Sequence, residues 1–106
     1  MGLLTSQMRL AQITSYRADL EYQRDLIFST KLDLSSQINS IVSLASDLDP
    51  ESPEAKALEK KKERLMQAEK ALDMQLQRYE NQLQMIEQEE QKVNQEKSAA
   101  IQRMSA

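Results

Sequence analysis

The chain has 106 residues, with one glycine, two prolines, three tyrosines, one phenylalanine and no tryptophan, histidine or cysteine. So little turn material excludes a multi-stranded fold, and the lack of cysteine removes disulfides and thiolate metal sites. Lys and Arg number 14 against 17 Asp and Glu, a net charge of −3, which argues against nucleic acid as the main partner.

What remains is rich in Leu, Gln, Glu, Lys, Ala and Met, all of which favour long helices. Two helices bury modest area for their length, so packing against copies of the same chain or against a partner is expected. No apolar run approaches the ~20 residues needed to span a bilayer. The N-terminus lacks a basic region followed by an apolar core, so no cleavable secretory signal is expected. Export, if it occurs, would use a route that reads an uncleaved N-terminus.

The predicted fold is all-α: two long helices in an antiparallel coiled-coil hairpin joined by a short proline-containing turn. The first helix is expected over about 6–47, the turn over 48–52 and the second helix over about 53–104, with boundaries good to one or two residues.

After a short apolar lead, Met1 to Leu4, either Thr5 or Ser6 is the expected first cap. Ile13, Tyr16, Leu20, Ile27, Leu34, Ile38, Ile41, Ala45 and Leu48 then recur at steps of three, four or seven on one face. This stripe has gaps near Gln23–Arg24 and at Lys31. A second set lies off it: Met8, Ala11, Ala18, Tyr22, Leu26, Phe28, Leu32, Val42 and Leu44. Two stripes predict a helix buried on two sides. Ile13, Tyr16, Leu20, Tyr22, Ile27 and Phe28 are therefore the candidate assembly interface. Ser and Thr also concentrate before the turn, from Thr5 to Ser46, with only Ser52, Ser98 and Ser105 beyond it. Small hydroxyl residues compete for the backbone in an exposed helix, so close packing against another helix is the favoured reading and solvated filler the bland one.

The turn is Leu48-Asp49-Pro50-Glu51-Ser52-Pro53-Glu54. Pro50 and Pro53 lack an N–H and push the preceding residue out of helical geometry. Asp49 and Pro50 end the first helix. Ser52 reads as the next N-cap, with Pro53 in the first turn and Glu54 at the positive end of the dipole.

In the second helix Leu58, Leu65, Leu72, Tyr79, Ile86, Val93 and Ala100 repeat every seven residues. The complementary register, Ala55, Lys62, Glu69, Leu76, Leu83, Glu90, Lys97 and Met104, is half charged. The predicted hairpin seam is Leu65, Leu72, Leu76, Tyr79, Leu83 and Ile86. An alternative trace through Ala68 would be a stutter that straightens the supercoil. Residues 50–106 hold ten Lys/Arg and eleven Asp/Glu against four and six in residues 1–49. The second helix is thus expected to be the wetter one and the first the more buried.

Sites that carry chemistry are scarce. Lys60, Lys61, Lys62 and Arg64 form the only basic cluster, but Glu59 and Glu63 flank it, so it reads as a solvated face. Asp47, Asp49 and Glu51 alternate like a calcium loop but lack its glycine and hold a proline, so they read as turn-forming carboxylates. Met1-Gly2-Leu3-Leu4-Thr5-Ser6 fits a short myristoylation pattern of low specificity. The six methionines are expected at or beside seam positions as adaptable packing, and the tyrosines as half-buried anchors. With no histidine, cysteine or phosphate-binding loop, the chain is expected to be a non-enzyme that needs no cofactor and no metal.

The turn Asp47-Leu48-Asp49-Pro50-Glu51-Ser52-Pro53 and the hairpin around it resemble the needle and filament subunits of type III secretion systems. The stretch from Ser6-Gln7-Met8-Arg9 through Asp19-Leu20-Glu21-Tyr22 is similar to the starts of small bacterial proteins exported alongside flagellar-type machinery. Both helices are longer than that family's, and no functional residue carries over. The resemblance implies a protomer whose helices line a helical tube, with the first helix inward or between subunits. It also implies a secretion apparatus or chaperone as possible partner and an extracellular or cell-surface location. The alternative is a cytoplasmic coiled-coil adaptor or export chaperone whose extra stripe receives a partner's helix.

Overall fold

The computed structural model describes residues 2–105. Helix α1 spans Leu3–Ser46 and helix α2 spans Pro53–Ser105. They run antiparallel as a hairpin joined by residues 47–52. The pairings show the direction: Lys31 meets Asp73, and four residues later Ser35 meets Glu69 four residues earlier on α2.

The start of α1 differs from expectation. The Ser6 amide already donates to the Gly2 carbonyl at 3.0 Å. The helix is therefore under way before Thr5 or Ser6 could cap it. Ser6 instead lies inside α1, fully buried, and its hydroxyl has no hydrogen-bond partner among the described residues. Met1, the first residue of the myristoylation pattern, lies outside the described residues.

The turn follows its residue chemistry. The last carbonyls of α1 are taken up by tightened bonds, Asp47 N to Leu44 O at 3.4 Å and Leu48 N to Ala45 O at 3.1 Å. Asp49 then organises the reversal: its Oδ1 accepts the Glu51 amide at 3.1 Å, and its carbonyl accepts the Ser52 amide at 2.9 Å. The Ser52 hydroxyl donates to that same carbonyl at 2.7 Å and accepts the Ala55 amide at 3.2 Å, the N-cap bond of α2. Glu54 in the first turn and Arg103 in the last complement the α2 dipole.

The hairpin divides into two compact units. One takes α1 up to Arg24 with α2 from Arg78 on. Its core is Ile13, Leu20, Ile86 and Val93, with Leu10, Tyr79 and Leu83 packed against it. Val93 is only 1 % exposed, and burying such a side chain is worth about 1.5–3 kcal/mol. Ion pairs Arg9–Glu89 and Arg17–Glu90 flank this core.

The other unit is Asp25–Gln77, the part that includes the turn. Ile27, Ile41 and Ala55 are buried in it, and Leu34, Ile38, Ala45, Leu58, Leu65, Leu72 and Leu76 are half-buried. Its polar contacts are Lys31–Asp73 at 2.5 Å and Ser35 Oγ donating to Glu69 at 2.8 Å.

Candidate functional site

Burial along each helix separates a seam from a back. On α1 the covered positions step by three and four without a break, 6, 10, 13, 17, 20, 24, 27, 31, 34, 38, 41 and 45, and Leu48 in the turn continues the rhythm. On α2 they run 55, 58, 62, 65, 69, 72, 76, 79, 83, 86, 90, 93, 97 and 100 in the same rhythm. The α2 seam is thus an uninterrupted heptad. Ala68 is exposed and Glu69 faces inward, so there is no stutter: a stutter would have to rotate every later seam residue away from α1.

All six predicted seam residues, Leu65, Leu72, Leu76, Tyr79, Leu83 and Ile86, lie on this seam. The deepest burial falls outside the expected middle, however, at Val93, Ala100 and Ala55. Small or β-branched residues there allow closer approach than a run of leucines.

The predicted assembly residues split into two groups. Ile13, Leu20 and Ile27 are buried against α2 and so are unavailable to another molecule. A single helix stripe covers one partner, and α2 already occupies this one. Tyr16, Tyr22 and Phe28, at 48, 63 and 51 % exposure, face outward. Periodicity puts Tyr16 on the same stripe as Ile13 and Leu20, but in the structure it faces outward and Arg17 takes that position against α2. Its aliphatic stem lies among the seam residues while its guanidinium reaches Glu90. Arg17, Arg24 and Lys31 thus occupy three successive positions of one register, filling the gaps in the apolar stripe. Unbroken alternation of three and four was the signal that would have found them.

The Lys31–Asp73 contact also shifts a charge equilibrium. The hydrogen bond to Asp73 holds the Lys31 pKa above the ordinary 10.5, against desolvation that lowers it and with the charges of Asp73 and Glu69 adding to the rise.

The back of α1 is the surface the fold leaves without an intramolecular partner. In the first unit it exposes Met8, Ala11, Ala18 and Tyr22; in the second, Leu26, Phe28, Leu32, Val42 and Leu44. On α2 the exposed large apolar side chains are Met66, Met74, Met85, Ile101 and Met104. The expectation of burial on two sides is therefore not met within the chain, because the second stripe of α1 has nothing to pack on. Helix α1 still holds five buried residues, Ser6, Ile13, Leu20, Ile27 and Ile41, against Ala55, Ile86, Val93 and Ala100 on α2. The methionines also depart from expectation: Met8, Met66, Met74, Met85 and Met104 all lie on exposed faces. Straight, flexible side chains are good helix formers even where they cover nothing.

Most hydroxyls of α1 lie on this same outer surface. Thr14 donates to Leu10 O, Thr30 to Leu26 O, Ser40 to Ser36 O and Ser46 to Ser43 O. These four donate back onto their own helix, which lowers the cost of taking them out of water. Leu32, Ser36, Asn39, Ser40, Ser43 and Leu44 line a shallow open groove there, and none of its lining residues is charged.

Of the basic cluster, Lys62 lies on the seam and pairs with Glu59 at 3.2 Å, while Lys60, Lys61 and Arg64 are exposed. Asp49 is engaged in turn hydrogen bonds. Among the described residues no group of three or more acidic side chains is placed to hold a metal ion, and no helix is long and apolar enough to cross a membrane.

No family model matches the chain, and neither the curated proteins nor the solved structures contain a significant match.

Proposed function

We propose that this chain is a structural subunit that self-assembles into a helical filament or tube, a component of a bacterial secretion system or surface appendage. The observation that carries the reading is the exposed back of α1. Hydrophobic burial drives most association, and this face offers apolar and hydroxyl side chains whose desolvation is cheap beside that of the charged α2 surface. Contacts between different patches of neighbouring subunits propagate without closing and give filaments. An extracellular or cell-surface location belongs to the same proposal.

The test is size against concentration, by light scattering and then negative-stain microscopy of the same sample. Growth into uniform rods or tubes is expected, and Tyr22→Asp and Phe28→Asp are expected to suppress it while circular dichroism stays helical. A small oligomer of constant size at all concentrations would displace this reading in favour of an adaptor that sheathes a partner's helix.

A further inference from the structure

The back of α1 between Leu32 and Leu44 reads almost alike in both directions about Ile38. Leu32 mirrors Leu44, Ser36 mirrors Ser40, and Gln37 mirrors Asn39. In a helix this symmetry has a spatial meaning. At about 100° per residue, residues equally far before and after Ile38 straddle the line opposite it. Ser36 and Ser40 lie nearest that line, Leu32 and Leu44 farther out, and Gln37 and Asn39 on the flanks. Ile38 itself is half-buried on the seam, so the symmetric face points away from α2, and all six mirrored side chains are exposed.

We propose that this face is a two-fold contact with a second copy of the chain, the two α1 helices crossing antiparallel opposite Ile38. Rotation about that axis brings each residue to its mirror mate. Leu32 meets Leu44 of the second copy at both ends, serine meets serine in the centre, and amide meets amide on the flanks. Asp33, the one charged residue on this face, meets the hydroxyl of Ser43 and can accept a hydrogen bond from it.

Charge selects the same occupant. Residues 34–46 contain no charged side chain, whereas the opposing stretch of α2, about residues 58–70, holds Glu59, Lys60, Lys61, Lys62, Glu63, Arg64, Glu69 and Lys70. A charged partner helix would strip water from its ions here and find few counter-ions, Asp33 at one end and Lys61 of α2 at the edge beside Ser36, Ser40 and Leu44. The small hydroxyls also let two backbones approach closely. A contact of some 13 residues, about 20 Å of helix, is at the small end of specific interfaces, so dimerisation depends on concentration.

The inference rests on the self-assembly reading and names one of its contacts. A two-fold contact closes on itself, so a filament would need a second contact elsewhere, for which Tyr22 is available. The test is a charge pair at exposed positions, which leaves the hairpin seam untouched. Ser36→Glu with Ser40→Glu places carboxylates against carboxylates across the axis. Ser36→Glu with Ser40→Lys places opposite charges together only if the helices are antiparallel. Sedimentation equilibrium is expected to show the first variant weakened about tenfold or more, and the second at least as associated as the unsubstituted chain. Equal association of the Glu/Glu variant, or failure of Glu/Lys to recover it, overturns the contact while leaving self-assembly standing. A monomeric unsubstituted chain at every concentration overturns both.

Discussion

Ser52 shows how much one residue contributes at the turn. Its hydroxyl closes the N-cap of α2 and at the same time holds the Asp49 carbonyl. Ser52→Ala removes both bonds and leaves a free amide at the helix start. The expected cost is about 1 kcal/mol, read as a lower midpoint in urea with unchanged slope. An unchanged midpoint would mean that Pro53 and Glu54 alone start the helix. Ser6 is the opposite case: a fully buried hydroxyl, without a partner among the described residues, at a position where the heptad calls for an apolar side chain.

Among the elements, the seam is where apolar burial gives way to paired charge. In the first unit Arg17 faces Glu90, and Leu83 and Lys97 stand one heptad to either side. A slip by seven residues would put Arg17 against a leucine or another cation, so the ion pair marks the register even though such pairs add little net stability. In the second unit the Lys31–Asp73 contact makes stability depend on alkaline pH. A pKa raised by folding means that the stabilisation is fully present below lysine's ordinary 10.5 and is lost as pH rises through the higher folded value. The urea midpoint of the unsubstituted chain should therefore fall more steeply above that point than that of Lys31→Met. Parallel curves would show that the contact is not felt in solution.

At the scale of the whole molecule, the two faces of α1 do different work. Leu20 is buried in the seam and Tyr22, two residues on, is exposed. Leu20→Asp buries a charge and removes a core side chain, at an expected cost of about 3 kcal/mol or more. Circular dichroism should show loss of the hairpin at temperatures where Tyr22→Asp remains folded. Equal stability of the two variants would mean that the α1 seam is not where the model of two faces puts it. When Leu20→Asp unfolds as expected, its loss of assembly reports unfolding, and only the outward variants test the interface itself.

The sequence by itself determined the two helices, the turn and the chemistry of the turn. These are local matters: two prolines, a serine cap and the near absence of glycine act within a few residues of where they stand. It also marked the seam of α2 through the apolar repeat from Leu58 to Ala100, and only the half-burial of Glu69 in place of Ala68 removed the alternative stutter. Which face of α1 would be covered was decided only by tertiary structure. Two apolar stripes compete there, and periodicity weighs hydrophobicity without knowing what lies opposite. Glu90, Glu69 and Asp73 on α2 made Arg17 and Lys31 acceptable in the seam. That choice placed Arg17 inward in place of Tyr16 and left Tyr22, Phe28 and Leu32 facing out.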